Sequence, residues 1–156
     1  MHDDAAAPHQ PHAARRTWMA VLARASATEL AALLDRHAAM PRYTKLRGPE
    51  AGLVMVRGRT GGGGAPFNLG EMTVTRCTVR TERGQVGHAY IAGRDAQQAE
   101  LAAVLDAMLQ DPLHTFALQT HVIAPLADAQ RARRSAIAAK AAATRVEFFA
   151  MRNMRT

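Results

Sequence analysis

The sequence predicts an α+β domain: an antiparallel β-sheet with an N-terminal helical pair and C-terminal helices packed on it. Three observations predict it. Apolar residues recur at helical spacing before Pro41 and again after Asp95. Between Tyr43 and Ala92, runs rich in Val and Thr are joined by short connections containing Gly or Pro, the pattern of antiparallel strands. No internal repeat divides the chain into equivalent units.

The 156 residues suit one domain, able to bury roughly two-thirds of its unfolded surface without metal or disulfide staples. Residues 1–12 mix Pro8, Pro11, His2, His9 and His12 without an apolar period, so they are expected to form a disordered tail ahead of a single domain at 13–156. Trp18, Val21, Leu22 and Ala25 mark the first helix. Ser26 with Glu29 makes a capping box that opens a second, carrying Leu30, Leu33, Leu34 and His37 and closed by Pro41.

Tyr43–Arg47 and Leu53–Arg59 read as strands of a hairpin turned at Gly48-Pro49-Glu50. Met72–Thr81 reads as the next strand. Its apolar residues change parity between Val74 and Cys77, which predicts a bulge or two-sided burial near Thr75 and Arg76. Thr81-Glu82-Arg83-Gly84 turns the chain into Val86–Ala92. Asp95 and Gln98 then form a second capping box, and Ala99, Ala102, Leu105, Met108 and Leu109 give one apolar face up to Asp111-Pro112. Leu113–Pro125 is ambiguous, with Val122-Ile123 open to an extended reading. From Ala127, the steps to Ile137, Ala141, Thr144, Phe148 and Met151 predict one long helix, with a strand at Arg145–Met151 as the alternative.

Composition bounds the function. Cys77 is the sole cysteine, which excludes an internal disulfide and a cysteine zinc site and suits a reducing compartment, so the cytoplasm is expected. No run reaches the ~20 apolar residues of a membrane span. The net charge of +7 rests on arginine, with Lys45 and Lys140 the only lysines. Arginine suits bidentate contact with an acidic partner, and biased coding explains the same excess.

Gly61, Gly62, Gly63 and Gly64 raise the question of a phosphate loop. No Lys-Ser or Lys-Thr follows them, and a strand rather than a helix comes next, so the nucleotide-binding fingerprints are excluded. The glycines read as the hinge of a β-hairpin arm. Phe67, Asn68, Leu69, Gly70 and Glu71 then form a lip that either docks a partner or folds on its own core. Arg94, beside the helix-capping Asp95, is free to reach a carboxylate or phosphate. Cys77 reads as a buried inert thiol. His88, His114 and His121 have no recognisable nucleophile beside them, and the carboxylates show no metal-ligand or acid-base pairing, so no catalytic or metal-binding residue is assigned.

The strings GGGGAPFNLGEMTVTRC, GHAYIAGRDAQQAE, LDAMLQ, IAPL and ATRVEFFAM together resemble the PhnG family, the small G subunit of the bacterial carbon-phosphorus lyase system. The resemblance implies a core complex of G, H, I and J subunits, with G, H and I acting beside an ATPase-like L subunit. It implies transfer of the ribose triphosphate moiety of ATP to a phosphonate, giving ribose 1-phosphonate 5-triphosphate and adenine. The I subunit carries the nucleosidase chemistry and the iron-sulfur J subunit later cleaves the carbon-phosphorus bond. The G subunit would need no cofactor of its own, ATP being the co-substrate of the complex. Two other readings compete: a stand-alone basic module binding nucleic acid, and an autonomous enzyme on a phosphorylated small molecule. The strands carry Tyr90 but no set of interleaved aromatics for the first, and no nucleophile-base pair serves the second.

Overall fold

The computed structural model describes residues 10–59 and 64–145, with side chains from residue 13 onward. Helix α1 spans Gln10–Leu22. Gln10, Pro11 and His12, counted with the tail from sequence, therefore belong to its first turn, where the missing N–H of Pro11 has no intrahelical partner to lose. Helix α2, Ala27–His37, opens on the predicted capping box: Ser26 Oγ accepts from the Glu29 amide, and the Glu29 carboxylate accepts from the Ser26 amide at 2.8 Å. It stops at His37, well before Pro41, because Ala38 turns extended at φ −153°.

Three antiparallel strands follow in the order β1 (Tyr43–Gly58), β2 (Phe67–Thr81) and β3 (Val86–Ala92). The expected hairpin at Gly48-Pro49-Glu50 is absent; β1 runs straight through. Arg47 pairs with Thr78 and Glu50 with Arg76, so Gly48 and Pro49 both stand opposite Cys77 as a bulge. A proline is accepted there because β1 is an edge strand. The real hairpin joins β1 to β2 through residues 59–66, as the reading of the glycine run requires. Two-sided burial, one of the two alternatives near Thr75, is what occurs: Val74 and Thr75 are both buried, and Thr75 Oγ1 donates to the Gly93 carbonyl at 2.7 Å. Pairing of β2 with β3 is unbroken. The turn at Thr81–Gly84 is as predicted, with Gly84 at φ +91°, a conformation that suits glycine.

Helix α3 (Ala96–Leu109) is the centre of the body. Rather than one apolar face it is buried all round, its residues from Gln98 to Leu109 being inaccessible apart from Glu100. A helix apolar on every side must be enclosed; β2 and β3 lie on one side of it, and α1, α2 and α4 on the others. Its N-terminus is capped by half a box, since Asp95 accepts from the Gln98 amide while the Gln98 side chain instead reaches the Ala23 carbonyl. The helix approaches the sheet closely at Gly87, where a Cβ would lie 1.9 Å from the Ala103 carbonyl oxygen.

The ambiguous segment is helical. Asp111 caps α4 (Pro112–Leu118), and a π-helical turn, Gln119–Ile123, leads directly into α5, Ala124–Ala143. Val122 and Ile123 are buried by helical spacing with Leu118 and Leu126, not by extension. The long C-terminal helix starts three residues earlier than predicted and ends at Ala143. Phe148, Met151 and the strand alternative beyond Arg145 lie outside the described residues, as do residues 1–9.

Among the described residues two carboxylates are buried, Asp106 and Asp111, and the first lies in the central helix. Asp106, on α3, is fully buried and accepts from Arg15 Nε and Nη2, from Trp18 Nε1 at 2.8 Å and from the His88 amide at 2.8 Å. Asp106→Ala would leave four donors on α1 and β3 facing a void, and is expected to cost about 3 to 5 kcal/mol in urea unfolding. Asp106→Asn, which keeps the shape, should lose less. Gly87→Ala should be as damaging as Asp106→Ala, because backbone atoms of α3 occupy the space its methyl needs; wild-type stability in that variant would contradict the packing described.

Candidate functional site

The sheet outgrows the body. Beyond Val74, β1 and β2 continue as a two-stranded arm past the N-terminus of α3, with Leu53 opposite Thr73, Val54 opposite Met72, Met55 opposite Glu71 and Val56 opposite Gly70. Alternation along each strand gives the arm two faces. Leu53 and Met55 share one with Thr73 and Glu71; Val54, Val56 and Met72 share the other. Arg57 pairs with Asn68 and Gly58 with Phe67, so Leu69 is an extra residue in β2. Its side chain folds over Gly58, where a Cβ would come within 2.6 Å of Leu69 Cδ1. Leu69 and Phe67 thus join the face of Val56 and Met72.

Among the described residues, no element of the body covers this surface. Phe67 is 49% exposed, Leu69 48%, Met55 55% and Leu53 64%; apolar side chains this accessible and this close together form a patch of the kind that partners cover. The lip therefore stands away from the core, and the alternative that it folds inward is not what is seen. Asn68, Gly70 and Glu71 lie exposed between its apolar residues. Gly64 is exposed with nothing near it, while Gly61, Gly62 and Gly63 lie outside the described residues. Arg94 is separate. It lines a groove at the root of the arm with Ala51, Gly52, Leu53 and Thr73, six residues of strand, about 20 Å, from Phe67.

Sequence reasoning missed the β1 half of the patch. The run Leu53-Val54-Met55-Val56 is apolar at four consecutive positions, which marks a strand with no solvent side. Leu113 and Phe116, one turn apart on α4, make a smaller exposed pair, 70% and 82% accessible.

The titratable groups are committed elsewhere. Glu100 accepts from Tyr43 Oη at 2.7 Å and Lys45 Nζ at 2.9 Å, tying α3 to β1. Burial opposes its charge, but those two hydrogen bonds and the Lys45 ammonium outweigh it and hold the carboxyl below its usual range. Tyr43 is pushed up to about 12, by burial first and then by Glu100. Asp111 is held down by the Leu113 amide that it caps, helped by Arg83 and His114. Glu29 is held down by the Ser26 amide and then by Arg133. Cys77 is buried, which raises its thiol, so it is not a ready nucleophile. His88 Nδ1 lies 3.1 Å from Thr78 Oγ1, and His121 stacks on His37. Among the described residues no cluster of His, Cys, Asp or Glu could hold a metal ion, and no helix is long and apolar enough to cross a membrane.

The described residues form a body of helices packed on a sheet, with an arm whose apolar side chains lie exposed. The family is explicit: residues 13–153 match the phosphonate metabolism protein PhnG family, and the chain belongs to it. Among curated proteins it is similar to the alpha-D-ribose 1-methylphosphonate 5-triphosphate synthase subunit PhnG of Rhizobium meliloti (strain 1021). The two are 47% identical over 141 residues, covering 89% of this chain and 88% of the relative.

The depressed carboxyls fix the sign of the acid response. In Glu29 and Glu100 the folded value lies below the ordinary 4.5, so the unfolded chain takes up protons first as the pH falls. Their stabilisation is fully present above pH 4.5 and is lost as the pH drops through the folded values. Tyr43 acts in the opposite sense, its contribution vanishing as the pH rises from 10 through about 12. Urea midpoints should therefore fall from about pH 5 to about pH 3, and less steeply in Lys45→Met, which removes one of the groups holding Glu100 down. Equal slopes in the two proteins would contradict the assignment.

Proposed function

We propose that this chain is an accessory, non-catalytic subunit of the carbon-phosphorus lyase core complex. It is required, with the H, I and L subunits, for transfer of the ribose triphosphate moiety of ATP to a phosphonate with release of adenine. The J subunit completes the core, and the complex works in the cytoplasm, where Cys77 stays reduced. Family membership supports this reading, as does the name of the Rhizobium relative as a subunit of a synthase. The observation that carries the docking role is the arm, whose apolar side chains lie exposed on both of its faces.

In this reading the lip Phe67–Glu71 meets a partner subunit, Gly61–Gly64 serve as its hinge, and Arg94 at the root reaches a partner carboxylate. Asp106, Glu100 and Asp111 are engaged by Arg15, Lys45 and Arg83, and Glu29 by the cap of α2. ATP is then handled by the complex and not by this chain alone.

Purified chain mixed with ATP and methylphosphonate should release no adenine by itself and should support release once the H, I and L subunits are added. Turnover by the chain alone would overturn the accessory role. Phe67→Ala combined with Leu69→Ala should weaken association with the other subunits by at least tenfold, about 1.4 kcal/mol or more. The free chain should keep its melting temperature, because neither side chain is part of the core. A double variant that binds normally places the contact elsewhere.

A further inference from the structure

Helix α5 keeps its inward stripe past the point at which the other described residues stop facing it. Leu126 is in the core. Gln130 is buried and donates to the Val21 carbonyl at 2.9 Å, and Arg133 reaches Glu29 on α2 at 2.9 Å. The same steps of four and three continue to Ile137, Lys140 and Thr144. At 3.6 residues per turn these positions stay within about 40° of one line, the spacing of a coiled-coil seam. Yet from Arg131 to Arg145 every residue is exposed, and Ile137 is 68% accessible.

A solitary exposed isoleucine means little. This one continues a stripe that is buried at Leu126 and Gln130, on a stretch of helix about 20 Å long. Seven of the thirteen residues from Arg131 to Ala143 are alanine, the strongest helix former, so the rod holds its shape without a neighbour. At its base, a groove of about 270 Å³ opens between Leu33 and Arg36 of α2 and Pro125, Leu126 and Ala129 of α5.

Charge selects the occupant. From Arg131 to Arg145 the exposed stretch carries Arg131, Arg133, Arg134, Lys140 and Arg145 and no carboxylate, and Asp128 just before it pairs with Arg131. A second copy of α5 would set positive charge against positive charge in either orientation. We propose that the seam is completed by an acidic amphipathic helix of another subunit, which places an apolar side chain on Ile137 and carboxylates beside Arg134 and Lys140. This rests on the chain being a subunit of the synthase, and it adds a second docking element distinct from the arm.

The test is co-expression of the full chain with the H, I and J subunits, using a photoreactive side chain at position 137. The expected result is a crosslink to an acidic helical segment of another subunit. Ile137→Asp should lower recovered complex at least tenfold while leaving the circular dichroism and melting temperature of the isolated chain unchanged. Ser135→Asp, on the opposite side of the helix, should leave recovery unaffected. Crosslinks confined to this chain or to a second copy of it, full recovery with Ile137→Asp, or unfolding of that variant in isolation would each overturn the inference. Failure of the wild-type chain to assemble would bring down the proposed function and this inference together. Normal assembly with position 137 uncrosslinked removes only the inference.

Discussion

The body is held together around one buried carboxylate. Asp106 lies in a helix enclosed by apolar residues, where an unpaired charge would be intolerable. Its oxygens are instead met by Arg15 and Trp18 from α1 and by the His88 amide from β3. Three elements far apart in sequence are thereby fixed to one point. The arrangement also treats the open edge of β3: the Val86 carbonyl accepts from Gln110 at 2.8 Å and from Arg15, so the start of that edge is covered by side chains of α3 and α1. An edge closed in this way is a poor template for strand addition.

Fixing α3 in the middle decides what stays outside. Because Gly87 lets the helix axis come close to β3, Cys77, Val79, Ala89 and Ile91 all face it and are buried. On the opposite face of the sheet, Arg80, His88 and Tyr90 are exposed among the described residues. The α3 helix is also shorter than the sheet is long. Fourteen helical residues span about 20 Å, while the sixteen of β1 span about 50 Å, so the distal part of the sheet must extend beyond its cover. The arm is thus a consequence of element lengths.

Much of this was legible in the sequence. The capping box at Ser26, β3 to the residue, the Gly84 turn and the hairpin around the glycine run all follow from local chemistry, which short windows contain. The failures share a cause. Gly48-Pro49 has turn composition, but pairing with β2 overrides it and makes it a bulge. Val122-Ile123 has strand composition, yet burial against α1 and α2 favours a π-turn that keeps both inward. Asp106 stood in the open within the apolar run Ala102–Leu109, and a lone carboxylate there signals a buried partner; its partners are 18 to 91 residues away, beyond any spacing rule. The exposure of Phe67 and Leu69 goes with their place beside the glycine turn, whereas their separation from Arg94 depends on where β3 stops and α3 begins.

If the arm and the α5 rod dock as proposed, they would do so in different ways. A two-stranded ribbon is marginal in water by itself, so the arm depends on its root, where β3 joins as a third strand, and becomes better ordered as it is covered. Its association therefore includes an ordering cost that an apolar contact at Phe67 and Leu69 must exceed. The α5 rod is already formed by alanine propensity and loses little on docking. Its arginines would draw an acidic neighbour from a distance, and that attraction weakens with salt. A subunit with both kinds of element can be steered by the charged rod and then locked by the apolar arm.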